Sequence, residues 1–322
     1  MTDYEAVREG GAGLIDLSAG RGRIRVSGSE ATMFLNGLIT NDVKALAANR
    51  WMPAVFPTVQ GRLIGAVRVI RGGDASFLID TETASHDAVL KTISRFTMAG
   101  DFKVSDVTEE IALVTVQGQL AGAVIEKVFE TDASANVVTE VQWQDTPVTI
   151  VNATHTGEKG FDVFIDSSRK AELLKSLETA GAQPVSDDAF EILRVEAGIA
   201  RFGRDMDETN VVPETNLDDA VSFTKGCYVG QEIIVRIKHR GHPAKKFTGL
   251  RFETDAQIES GATIKSTENQ EIGRVTSAVI SPRLGSIGLG YVRYEQIAEG
   301  TRVVVGDGID ATVTALPFVN NG

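Results

Sequence analysis

The chain reads as an α+β protein that ends in a small β-barrel, and three observations predict that class. After residue 47 the pattern runs strand, strand, helix and then repeats, which builds ferredoxin-like sheet-and-helix layers. Two further helical patterns follow, over about 168–180 and 187–197. From about residue 246 onward, short β-type runs alternate with glycines and turns, the texture of a small barrel or sandwich.

Each element has a local reason. Residues 24–26 read as a short strand. A helix is expected over 30–38, with Ser29 placed to cap it and Ala31, Phe34, Leu35 and Leu38 on one face. Strands are expected at 63–70, 77–80, 102–107 and 111–116, and helices at 83–97 and 119–129. The first of these helices carries Val89, Ile93 and Phe96 at helical spacing. Together they form an α+β subdomain of about 48–135, two helices on a four-stranded sheet, inserted in a larger module of 1–240. The helix at 187–197 opens on a capping Ser186 with Asp187 and Asp188 in its first turn, and closes at Gly198. The runs at 248–252, 272–280, 286–292, 302–305 and 311–316 supply the barrel of a second domain, 241–322.

With 322 residues, 42% apolar and 24% charged, the chain has enough apolar material for two or three cores. No apolar run approaches bilayer-spanning length, and Met1-Thr-Asp-Tyr-Glu5 is acidic where a signal or transit sequence would be basic. A soluble, cytoplasmic protein with no membrane partner is the expectation. The net charge of −12 repels phosphate backbones and argues against direct nucleic-acid binding. A single cysteine, Cys227, excludes an intramolecular disulfide and a four-thiolate cluster from this chain alone.

Few residues stand out chemically. Glu196 shares a helical face with Ala189, Ile192, Leu193 and Ala200, and a carboxylate on an apolar stripe must be paired. Its partner is either an arginine, in an internal ion pair, or the adjacent N–H and NH₂ of a pterin-like ligand. Cys227 is either a small buried hydrophobe or a functional thiol favoured by nearby Lys225. From Lys225 to Arg251 seven cations (Lys225, Arg236, Lys238, Arg240, Lys245, Lys246, Arg251) face one acid, Glu232, a local +6 in an acidic protein. Solvated strand edges and an anion site are both consistent with that. His239 and His242 flank Gly241 in what reads as a turn, so no metal site is expected there. Gly20-Arg-Gly22 lacks the third glycine of a phosphate-binding loop.

Lys225-Gly-Cys-Tyr-Val-Gly-Gln-Glu232 resembles the K-G-C-[FY]-x-G-Q-E signature of the YgfZ branch of the YgfZ/GcvT family. Val212-Pro-Glu-Thr-Asn-Leu217 and Leu193-Arg-Val-Glu-Ala-Gly198 extend the likeness. Gly13-Leu-Ile-Asp-Leu17, Ile24-Arg-Val-Ser-Gly28 and Phe34-Leu-Asn-Gly-Leu-Ile-Thr-Asn-Asp42 resemble the opening of the wider aminomethyltransferase superfamily.

The resemblance implies a GcvT-like folate-binding module with a C-terminal barrel and tetrahydrofolate, or a derivative, as cofactor. It implies Glu196 as the pterin carboxylate, with Lys225, Tyr228 and Arg236 also at the cofactor and Cys227 as a functional thiol. The branch implies help in assembling or repairing iron–sulfur clusters, with assembly proteins or client enzymes, tRNA-modifying ones included, as partners. The alternative is folate-dependent aminomethyl transfer, as in the glycine-cleavage T-protein. That protein carries an acidic pair where this chain has Gly65 and Ala66 in Gly61-Arg-Leu-Ile-Gly-Ala-Val67, and neither residue can assist proton transfer or stabilise an iminium.

Overall fold

The computed structural model describes residues 2–319 apart from 74–75, 99, 136 and 255–256, and only the backbone of Arg240. The chain opens with α1 (Asp3–Arg8), β1 (Gly13–Asp16), β2 (Arg21–Ser27) and α2 (Ala31–Leu38). Next come β3 (Arg50–Pro57), β4 (Leu63–Arg71), β5 (Phe77–Glu82), α3 (Thr83–Ser94) and β6 (Lys103–Asp106). Then follow β7 (Ile111–Gln117), α4 (Ala121–Phe129), β8 (Val138–Trp143), β9 (Thr146–Asn152), β10 (Gly160–Asp166), α5 (Lys170–Ala180), β11 (Gln183–Pro184) and α6 (Asp187–Glu196). After a long irregular stretch, α7 (Gln231–Arg240) leads into β12 (Lys245–Phe252), β13 (Thr263–Ser266), β14 (Glu271–Ser281), β15 (Gly285–Arg293), β16 (Arg302–Val305) and β17 (Ile309–Thr314).

A five-stranded sheet has the order β3-β4-β5-β2-β6, and a six-stranded sheet the order β11-β1-β7-β10-β9-β8. The strands expected to form one inserted subdomain are therefore divided. β4, β5 and β6 belong to the first sheet, whereas β7 pairs with β1 and β10 in the second. The repeated strand-strand-helix order is real, but its two halves build two sheets and not one. Local periodicity carries no information about which strand a neighbour pairs with.

Period-two alternation then sorts the side chains. From β4 and β5, Val67, Val69, Phe77 and Ile79 pack under α2 and α3, in a core with Leu35, Val89 and Ile93. From β7 and β10, Val114, Val116, Phe161 and Val163 pack under α4 and α5 with Ile125, Leu173 and Leu177. The opposite faces meet in a seam filled by Ile70, Leu78, Leu113, Phe164 and Phe190. Polar residues in the middle of the seam, such as Asp80 on β5 and Asp162 on β10, are thus buried by both sheets at once.

The last six strands close a barrel in the order β12-β15-β14-β13-β16-β17, around Leu250, Ile264, Val275, Val292, Val303 and Val313. The barrel docks on α6, where Val195 packs with Phe247, Ile287 and Leu289. α6 begins as its sequence predicts, with Ser186 Oγ accepting the Ala189 amide at 3.3 Å. Ser29, by contrast, does not cap α2: Glu30 is the N-cap residue, with no side-chain capping bond, and the Ser29 amide donates to Asp101 Oδ2 at 2.7 Å. No helix among the described residues is long and apolar enough to cross a membrane.

Candidate functional site

At one end of the seam lies a cleft of about 200 Å³. Trp51, Phe190 and Phe202 supply apolar walls, and Arg21, Arg68, Glu82, His155 and Arg201 supply polar groups. A broader groove of about 1070 Å³ opens at the other end, rimmed by the exposed Glu110, Glu140 and Asp145. Size does not decide between them. The buried charges gather at the smaller cleft, and buried charge is what marks a built site.

Those charges form one chain. Arg21 on β2 donates from Nε and Nη2 to the two Asp80 oxygens at 3.0 and 2.6 Å, and from Nη1 to Glu82 at 2.8 Å. Arg68, facing Asp80 across the β4–β5 ladder, donates to Asp80 at 2.7 Å and to Asp162 on β10 at 2.5 Å. His155 Nε2 lies 3.0 Å from both Asp162 oxygens, and Arg201 Nη2 donates to Glu82 at 3.0 Å. Asp80 and Asp162 have fully buried side chains. Burial alone would raise their pKa values, but Arg21 and Arg68 around Asp80, and His155 and Arg68 around Asp162, hold both below the ordinary carboxylate range.

β4 also settles the Gly65–Ala66 position. Ala66 lines the cleft. Gly65 points the other way, where an added Cβ would stand 2.7 Å from Val89 Cγ2 and 3.0 Å from Ser85 on α3. Of these two positions, only Ala66 faces the cleft.

The residues singled out by sequence do not converge on this cleft. Glu196 is fully buried, with Oε1 accepting from Tyr4 at 2.8 Å and Ser281 at 2.5 Å, and Oε2 accepting from Arg8 Nε at 2.8 Å. Of its two readings, the arginine ion pair is the one present. The carboxylate joins α1, α6 and barrel strand β14, and it is absent from the cleft lining. Lys225 is likewise buried. Its Nζ donates to the carbonyls of Asn36, Ile39 and Asn41 at 2.6, 2.9 and 2.7 Å, where it closes the C-terminal end of α2. Burial lowers its pKa to about 8.

Tyr228 is buried among Val55, Leu63 and Ile234, behind the cleft residues Phe202 and Met206, and Lys225 Nζ lies 5.1 Å from its ring centre. Arg236 is exposed on α7. Cys227 is exposed, so the reading as a small buried hydrophobe does not hold.

The +6 window does not form one site. Lys238 pairs with Asp218 at 3.1 Å, Lys245 lies 3.9 Å from Glu214, and the Arg240 side chain is outside the described residues. His239 sits on α7 and not in a turn, edge-on to Phe223, while His242 stacks on Tyr294. Among the described residues no group of three or more potential ligands could hold a metal.

Sequence reading missed the charge chain, although a signal was there. Arg68, Asp80 and Asp162 each interrupt an apolar strand run, and a charge on such a run is buried only if paired. Lys225→Met offers a direct check of the lysine's structural role. Two buried carbonyls and one part-buried carbonyl would lose their donor, at roughly 1–3 kcal/mol for each buried one left bare, so a clear fall in thermal or denaturant stability is expected. Full stability of the variant would show that water replaces the ammonium.

Two stacked sheets carry helices on their outer faces, a barrel docks on α6, and a cleft with apolar walls lies over a buried ion chain. Residues 1–225 match the GCVT N-terminal domain, and residues 245–320 match the glycine cleavage T-protein C-terminal barrel domain. The chain belongs to the glycine cleavage T-protein family.

An aminomethyltransferase of Rubrobacter xylanophilus is 32% identical over 324 residues, which cover 98% of this chain and 85% of that protein. One from Thermoanaerobacter sp. (strain X514) is 26% identical over 316 residues, covering 95% and 85%. The crystal structure of glycine cleavage system aminomethyltransferase T from Bartonella henselae superposes with a TM-score of 0.90 over 98% of this chain and 88% of that one. At 24% identity that likeness is one of fold.

Proposed function

We propose that the cleft binds a tetrahydrofolate and that the protein is a folate-dependent one-carbon transferase of the aminomethyl type. The observation that carries this reading is the cleft itself, together with the family. Its walls, Trp51, Phe190 and Phe202, suit the faces of a bicyclic ring, and Trp51 is held by its indole N–H on the Asn152 carbonyl at 3.0 Å. About 200 Å³ is below the roughly 300–1,000 Å³ of pockets that enclose whole drug-sized ligands, so the ring fits and a tail remains at the mouth. Arg201, at 31% the most exposed guanidinium of the cleft, suits an anionic tail, and Glu82 is the carboxylate nearest in kind to what a pterin edge requires. When bound, the folate supplies the nitrogen that carries the one-carbon unit. The chain's own residues hold the ring, exclude water from its faces and fix the charges around it.

The test is a titration with tetrahydrofolate followed by incubation with an aminomethyl donor. Saturable binding and formation of methylene-tetrahydrofolate are expected. Ala66→Asp, which restores one acid on the cleft side of β4, should change turnover with little effect on affinity. Binding without any turnover, in both proteins, rejects the transferase.

A second reading is favoured by one observation, the exposure of Cys227 within an octapeptide resembling the YgfZ signature. In it the folate-loaded protein presents that thiol while iron–sulfur clusters are built or repaired on client enzymes. Cells lacking the native copy and carrying Cys227→Ala should then lose cluster-dependent activities; complete rescue rejects a role for the thiol.

A further inference from the structure

We infer that His155, oriented by Asp162, is the proton acceptor of the cleft, standing where no carboxylate is free to serve. This rests on the cleft being the ligand site proposed above. His155 lies in the loop between β9 and β10, and that loop is pinned from below. Gln117, at the end of β7 and 0% exposed, accepts the His155 amide at 3.0 Å and the Thr156 hydroxyl at 3.2 Å through Oε1, and donates to the Ala153 carbonyl at 3.1 Å. The ring borders the cleft, edge-on to Phe190 with centroids 6.4 Å apart.

The tautomer follows from the partner. Asp162 is held ionised by Arg68, and an ionised carboxylate only accepts. The hydrogen shared at 3.0 Å must therefore sit on Nε2, which in the neutral imidazole leaves the lone pair on Nδ1. Among the described residues Nδ1 has no hydrogen-bond partner, and it is not a fully enclosed atom.

The other charged groups around the cleft are ion-paired, which leaves them able to hydrogen-bond a ligand but not free to take up a proton. Arg194 on α6 is bound to Glu191 and Asp205, and Arg21 to Asp80 and Glu82. Arg201 is bound to Glu82, and Arg68 to Asp80 and Asp162. Among the described residues that line the cleft, His155 alone combines access with an uncommitted ring nitrogen. It takes a proton from an N–H of the bound ligand: that N–H bond breaks, its electron pair stays on the ligand nitrogen, and an Nδ1–H bond forms. The imidazolium is then stabilised by Asp162 across the ring, and the proton passes on to water or to the departing amine.

Nitrogen-15 NMR of the histidine-labelled protein tests this without turnover, the His155 signals being assigned as those lost in His155→Asn. The Nε2–H tautomer is expected, with resonances that shift on adding tetrahydrofolate. An Nδ1–H tautomer, or folate binding that leaves His155 unmoved, overturns the inference. In the aminomethyl assay His155→Asn should lower kcat by about a hundredfold or more while KM stays within about twofold. His155→Gln, which keeps a donor toward Asp162 but cannot take up a proton, should not restore it. Unchanged kcat in stably folded variants also overturns the inference. If tetrahydrofolate does not bind at all, the folate reading falls, and the tautomer still decides whether a base faces the cleft.

Discussion

Asp80→Ala is expected to destabilise the protein by about 3–5 kcal/mol, the range for removing one partner of a buried ion pair. Asp80 accepts from two arginines on two neighbouring strands and has no exposure of its own, so its loss leaves Arg21 and Arg68 crowded with like charge in the seam. Denaturant unfolding at neutral pH reads the loss directly.

The same group predicts a pH dependence. The folded pKa values of Asp80 and Asp162 lie below the ordinary value of 3.8, so below that value the unfolded chain binds more protons than the folded one. Their stabilisation is present in full above about pH 4 and is lost as the pH falls further. The variant should lose part of that acid sensitivity. A wild-type stability flat from pH 7 down to pH 3 would mean the seam carboxylates are not held as ions. Because the pairs are buried, 1 M salt should change little.

Glu196→Gln should also cost about 3–5 kcal/mol, and should leave tetrahydrofolate affinity unchanged. The amide keeps the shape but loses the charge facing Arg8, whose remaining ion-pair partner is Glu158 at 2.8 Å. Burial, together with the bond to Glu196, raises the Tyr4 pKa to about 12, so its hydroxyl remains a donor throughout the ordinary pH range. The variant separates two roles with opposite signatures. A staple between α1, α6 and the barrel shows as lost stability. A pterin ligand shows as an affinity weakened by roughly 1.5–3 kcal/mol with stability retained. The second outcome would require the α1–α6 contact to open on binding.

The helices α2 to α6 were legible because their causes are local. Caps, acidic first turns and apolar stripes fall within a few residues, as at Ser186 and Leu193 in α6. The barrel was legible for the same reason, from glycine-punctuated β runs. Strand partnership was not: β6 and β7 are adjacent in sequence and enter different sheets. α7 was missed because Ile233, Ile234 and Ile237 are followed or interrupted by four basic or histidine positions, Arg236, Lys238, His239 and Arg240, that read as a charge run.

The sequence by itself pointed to the wider GcvT family, since the motifs at 13–17, 24–28, 34–42, 193–198 and 212–217 are strings that need no coordinates, and it required Glu196 to be paired. Only the tertiary structure decided with what. Burial of a charge is a through-space property: Arg8 lies 188 residues from Glu196, and Arg68 lies 94 from Asp162, so no window along the chain contains both partners. The same limit hid His155, an unremarkable residue until β10 places Asp162 behind it and the two sheets place a cleft in front.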